Sequence, residues 1–212
     1  VDAAAERALL ARIELRLWRE PRDGALRTED LVRTFGPEVL TREGFSLASL
    51  RPSAVLVPIV QRADGATLLL TRRASALPVR GGDVVFPGGG ARERESLVET
   101  ALREAEEEVG VPAARTRALG FLDAHPTLIG FRIQPVVALV PGDFVAAPDP
   151  REVDAVYELP LAAALDPAHH RRVVVHFDGR AREVTNFEHE GLAVWGVTAS
   201  ILFDLARRAG DA

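Results

Sequence analysis

The 212-residue sequence contains no cysteine, no methionine and no lysine; its 26 basic residues are all arginine. Without cysteine there is no disulfide, no thiolate nucleophile and no thiolate-ligated metal. Aromatic residues make up only 6% of the chain. No apolar run approaches the ~20 residues that a bilayer-crossing helix needs, so no membrane association is expected. A positive excess is missing too. The formal net charge is −5, which argues against nucleic acid as a partner. Residues 1–20 alternate acids, arginines and leucines and do not read as a signal peptide; a cytoplasmic location is the expectation. What the chain does have is a 47% hydrophobic share, enough for a packed core, at a length that suits one domain or one domain with appendages.

Apolar periodicity outlines a mixed α/β chain. An amphipathic helix is predicted over residues 3–19, stopped by Pro21 and Gly24, and a second short helix over 28–35 with Thr28 as N-cap. Strands are predicted at 54–60 and 66–71 around the turn Ala63-Asp64-Gly65, then at 84–86, 116–123, 131–140 and 153–159. Pro58 demotes the first strand to an edge or an irregular strand, and Pro135 interrupts the fifth. A helix from about 93 to 109 is closed by Gly110. A short helix near 161–165, a hairpin from 172–177 and 183–187 around Asp178-Gly179, and a closing helix at 197–208 complete the outline. Hairpins among helices imply a mixed rather than wholly parallel sheet. Trp18 and Trp195 read as packing residues. His169, His170, His176 and His189 read as surface or strand-end residues.

The chemistry concentrates in residues 86–111. Phe86-Pro87-Gly88-Gly89-Gly90 precedes a helix carrying Arg103, Glu104, Glu107 and Glu108. At a 3.6-residue period the three acids are expected to project from one face. Like charges at that spacing repel by a few tenths of a kcal/mol per pair. A hard divalent cation reverses that cost, because it takes oxygen ligands and bridges substrate phosphates. The glycines are expected to turn the backbone sharply and bring a carbonyl close to such an ion, although Gly90 reads equally well as plain loop.

From Gly89, five residues lead to Glu95 and seven more to Arg103-Glu104-Ala105-Glu106-Glu107-Glu108-Val109-Gly110-Val111. This pattern resembles the Nudix box, G-x5-E-x7-R-E-U-x-E-E-x-G-U with U apolar, at every fixed position. The resemblance implies an α/β/α sandwich with a mixed sheet, a Nudix hydrolase domain over 51–212, and an N-terminal helical extension over 1–50. That extension would pack on the core, mediate a homodimer, or gate the substrate cleft. The resemblance also implies Mg²⁺ or Mn²⁺ held by Glu107 and Glu108, with Glu104 as a further ligand or as the base. Gly88 and Gly89 would contribute backbone oxygen. Arg103 would position a catalytic Glu through a salt bridge, and Glu152 is a second candidate base from outside the box. Glu93, Glu99 and Glu106 match no fixed position and read as solvated surface.

The preceding segment narrows the substrate. Leu69-Leu70-Thr71-Arg72-Arg73-Ala74, Gly82 and Phe86-Pro87-Gly88-Gly89 resemble the signature of the coenzyme A diphosphatase branch, L-L-T-x-R, a small residue, x3-R-x3-G-x3-F-P-G-G. Pro78 stands where that signature has Arg; Arg80, two residues on, is a candidate replacement. The branch implies a small-molecule nucleoside diphosphate substrate, coenzyme A or a derivative, cut to 3′,5′-ADP and 4′-phosphopantetheine or its acyl form. Arg72, Arg73 and Arg80 are candidate phosphate-binding residues, and His125, in His125-Pro126-Thr127, a candidate substrate contact. The alternatives are ADP-ribose or a dinucleotide, and a non-catalytic binding module. Loss of the metal-holding acids would mark the last, and none is lost.

Overall fold

Strand β1 (Arg51–Val60) is the spine of the molecule. Successive side chains of a strand point to opposite faces. Accordingly Ala54, Leu56 and Val60 enter one apolar cluster while Val57 and Ile59 enter another. Strand β7 (Phe131–Val140) lies parallel to β1 along its whole length and divides the same way, with Val136, Ala138 and Val140 on one face and Val137 on the other. The computed structural model describes residues 2–22, 49–127, 129–177 and 180–210. The helix expected at 28–35 with its Thr28 cap, and the Asp178-Gly179 turn, lie outside them.

The remaining strands of the main sheet are β2 (Thr67–Arg73), β3 (Val84–Val85), β4 (Gly88–Gly90), β5 (Arg117–Phe121), β6 (His125–Pro126) and β8 (Val153–Pro160). The order is β3-β2-β1-β7-β5, with β4 on β1, β6 on β7 and β8 on β2. β1 and β7 are parallel and the other pairings antiparallel, so the sheet is mixed, as expected. A separate three-stranded antiparallel sheet comprises β9 (His170–Phe177), β10 (Arg180–His189) and β11 (Leu192–Trp195).

Helix α2 (Leu97–Val109) covers one face of the main sheet through Ala101, Ala105 and Val109. Helices α1 (Ala3–Arg16) and α4 (Gly196–Ala209) cover the other through Leu10, Ile13, Ile201, Leu202 and Leu205. A short helix, α3 (Leu161–Leu165), follows β8. The result is the α/β/α sandwich. Beyond α1 the chain is tied to α4 by buried polar contacts. Arg208 pairs with Asp204 and Asp123, each at 3.1 Å, and donates to the Arg16 carbonyl at 2.9 Å. Trp18 donates its indole N–H to Asp123 at 2.8 Å.

Four expectations are corrected. Pro58 sits in a central strand. On the side of β1 away from β7, β4 pairs with Ser53–Val55 and β2 with Ile59 and Val60, so Pro58 falls in the gap between two ladders, where its missing N–H costs little. Pro135 does not interrupt β7, which runs through it in register with Val55. The acidic helix begins at Leu97 rather than near 93, because Ser96 and Glu99 form a reciprocal capping box; Glu99 is exposed, as expected, and also caps the helix. Finally, Gly88–Gly90 form an extended strand instead of a sharp turn. A Cβ on Gly88 would lie 2.4 Å from the Ala54 carbonyl oxygen and 2.6 Å from the Val55 Cα, so only glycine lets β4 lie this close on β1.

Candidate active site

The glycine strand is the wall on which the site is built. On one side stands α2. A Cβ on Gly89 would fall 2.6 Å from the Glu104 carboxylate, and the Gly88 N–H donates to Glu108 Oε2 at 3.3 Å. The Gly89 carbonyl accepts from the Ser53 hydroxyl at 2.7 Å. On the other side is a cleft of about 460 Å³ lined by Gly88–Gly90, Arg51, Arg73, Arg80, Phe131 and residues of α4.

The three acids differ sharply in exposure. Glu107 is exposed, Glu104 half-buried, and Glu108 only 4% exposed. Glu108 follows Ala101 and Ala105 on the sheet-facing stripe of α2, seven and three residues on, so the helix turns it inward with the alanines. Burial pushes its carboxyl from an ordinary 4.5 up to about 8, opposed chiefly by the nearby Arg73 guanidinium.

Arg103 explains how the other acids are held. Its Nε donates to Glu95 Oε1 at 2.7 Å, and its Nη1 donates to Glu104 Oε1 at 2.7 Å and to Glu107 Oε2 at 3.0 Å. Nη2 reaches the Gly90 carbonyl at 3.2 Å. The Glu95 carboxyl is held down at about 2, chiefly by its hydrogen bond from Arg103. Glu107 also meets Arg92 at 3.1 Å. One guanidinium thus ties the turn before α2, the glycine strand and two box acids together.

Among the described residues no three acidic or imidazole groups converge to hold an ion, because Arg103 stands among these carboxylates. The donors themselves suit a hard cation. They are carboxylate oxygens at Glu104 and Glu108, with the Gly89 backbone packed against Glu104. Glu108 receives only the long contact from Gly88, too little for a buried anion.

The other sequence-derived residues are distributed unevenly. Arg73 and Arg80 line the cleft, and Arg80 pairs with Asp83 at 2.8 Å. Arg72, its neighbour on β2, is exposed and acts on Asp154 instead. Glu152 is exposed just before β8, near enough to raise the proton affinity of Glu108. His125 lies on β6 and does not itself line the cleft, although its register partner Ile133 does. Its Nε2 is buried without a hydrogen-bond partner, and burial lowers its pKa against the opposing charges of Asp204 and Asp123. Arg51, Ser53 and Phe131 also line the cleft. They reach the site through the β1–β7 and β1–β4 pairings, which no local sequence signal announces.

The NUDIX domain profile matches residues 50–177, from the start of β1 to the end of β9. The protein named uncharacterized Nudix hydrolase NudL from Yersinia pestis (strain Pestoides F) is 40% identical over 171 residues, covering 80% of this chain and 85% of that protein. Among solved structures, the Nudix hydrolase RenU of M. smegmatis superposes with a TM-score of 0.46 at 20% identity, covering 53% of this chain and 71% of that one. A Deinococcus radiodurans protein gives 0.46 at 16% identity, covering 76% and 83%. With the profile match and the 40% identity over most of both chains, this chain belongs to the Nudix hydrolase family.

Proposed function

We propose that this Nudix hydrolase is a metal-dependent diphosphatase that cleaves coenzyme A or its derivatives to 3′,5′-ADP and 4′-phosphopantetheine, or to the acyl form of the latter. The observation that carries this reading is the shared glycine wall: box acids on one side and an arginine-lined cleft on the other. Glu104, Glu107 and Glu108, with backbone oxygen from Gly88 and Gly89, would hold a divalent ion, Mg²⁺ or Mn²⁺, both of which take oxygen ligands. Such an ion supplies charge neutralisation at the diphosphate and a lowered pKa for the attacking water. Arg103 holds Glu104 and Glu107 in place and cannot itself give up a proton. Glu152, exposed beside Glu108, or Glu104 takes the proton of the attacking water. Arg73 and Arg80 face the substrate's phosphates, Arg73 without a carboxylate pinning it among the described residues.

The pairing of Arg80 with Asp83, together with Pro78, favours a second reading: a nucleoside diphosphate lacking an additional phosphate, such as ADP-ribose or a dinucleotide. Hydrolysis of coenzyme A, ADP-ribose, NADH and diadenosine polyphosphates, each with Mg²⁺ and with Mn²⁺, separates the two. Coenzyme A is expected to be cut with the highest kcat/KM. Turnover of ADP-ribose with none of coenzyme A would overturn the first reading.

A further inference from the structure

Of the three cations lining the cleft, Arg73 ends β2 and Arg80 lies in the loop after it, whereas Arg51 comes from β1. Arg51 opens β1, is exposed, and places its guanidinium 4.1 Å from the centre of the Phe131 ring. The two residues are register partners on the parallel strands β1 and β7, so the sheet itself sets the stack. No carboxylate among the described residues pairs with Arg51, whereas Arg80 is bound to Asp83. The cleft lining contains Arg51, Arg73 and Arg80 and no acid. A guanidinium laid on an aromatic face is pre-organised, and its planar fork matches two phosphate oxygens.

Position along the strand says which phosphate. Gly88, Gly89 and Gly90 lie opposite Val55, Ala54 and Ser53. Arg51 is two residues past the last of these, about 7 Å further along β1. A diphosphate lying in the cleft over Gly88 and Gly89 leaves Arg51 roughly one sugar away.

We propose that Arg51, braced on Phe131, receives the ribose 3′-phosphate of the substrate and is the specificity-determining residue that favours a nucleoside 3′-phosphate 5′-diphosphate over its dephosphorylated counterpart. This rests on the coenzyme A reading. Removing the contact takes away one charge-assisted phosphate interaction, worth about 10- to 100-fold in apparent affinity.

The test compares hydrolysis of coenzyme A and 3′-dephospho-coenzyme A with saturating Mg²⁺ by the wild type, Arg51→Gln and Phe131→Leu, alongside calorimetric binding of 3′,5′-ADP and 5′-AMP. Arg51→Gln is expected to raise KM for coenzyme A about 10- to 100-fold while leaving its kcat, and both constants for the dephosphorylated substrate, unchanged. Phe131→Leu shifts the same ratio less. An equal change for both substrates, or no change for either, overturns the proposal. A wild type that cuts neither substrate removes the coenzyme A reading alone. In that case a preference for 3′,5′-ADP over 5′-AMP that disappears in Arg51→Gln still upholds the phosphate site, and equal binding of the two overturns it.

Discussion

Glu108→Gln isolates the least expected feature of the site. Glu108 is buried, and its carboxyl protonates at about 8 instead of 4.5 because desolvation disfavours the anion. Between those values the metal-free folded protein carries a proton that the unfolded chain has released. Stability therefore falls as pH rises through this window, by about 1.4 kcal/mol per pH unit at most, and is flat above it. Over the whole window the loss is on the order of 3–5 kcal/mol, a large part of the ~5–15 kcal/mol that a domain of this kind has. Glutamine keeps an oxygen for the Gly88 N–H and never ionises, so the variant lacks this slope.

The assay is urea denaturation in EDTA from pH 5 to 9, read as wild type minus variant so that other titrating groups cancel. The two proteins are expected to be nearly equally stable at pH 5, with the variant ahead by about 3 kcal/mol or more at pH 8.5. Adding Mg²⁺ should recover the wild type most at the high end, where the carboxylate is ionised, and should do little for the variant. A difference that is flat from pH 5 to 8, or that favours the wild type as pH rises, would refute the reasoning.

Other perturbations have separate readouts. Glu107→Gln is expected to cut turnover by at least 100-fold while moving stability by less than about 0.5 kcal/mol, because its side chain is exposed; an unchanged rate would remove Glu107 from the chemistry. Gly88→Ala should cost several kcal/mol, about 3 or more, since its Cβ meets backbone atoms that cannot step aside, and a thermal melt matching wild type would contradict the tight β1–β4 contact. Arg208→Ala leaves Asp123 short of its buried partner and should destabilise by about 3 kcal/mol in denaturant titration. Glu95, held down by Arg103, contributes stability above the unfolded carboxylate pKa that is lost as pH falls toward about 2; Glu95→Gln should flatten that acid limb.

The sequence carried the elements and the box because both are written locally. Apolar alternation located β1, β2, β7 and β8, and helical periodicity located α2 and α4, since each depends only on neighbours a few positions away. The departures at the strands share one cause. Pro58 and Pro135 look like strand breakers until the gap between the β4 and β2 ladders, and the uninterrupted β1–β7 pairing, show where their missing N–H groups fall. Gly88–Gly90 look like a turn until β1 is laid against them. In each case a partner strand distant in sequence decides what a local signal means.

The same holds for the site, with a sharper consequence. Glu104, Glu107 and Glu108 look equivalent on a helical wheel, yet the sheet beneath α2 makes them three different groups. Glu107 is exposed and Glu104 half-buried, both held by Arg103, and Glu108 is buried with little to oppose its charge. A run of acids on a solvated helix would stay ionised and mutually repulsive at neutral pH. Here Arg103 neutralises two of them and burial protonates the third, so the fold tolerates the cluster without a metal. A divalent ion held by these acids would have to displace the proton of the Glu108 carboxyl. Metal affinity is therefore expected to rise with pH up to about 8 in the wild type and to lose that dependence in Glu108→Gln. Isothermal titration with Mg²⁺ in buffers of different ionisation enthalpy reads this as about one proton released per ion at pH 6.5 to 7.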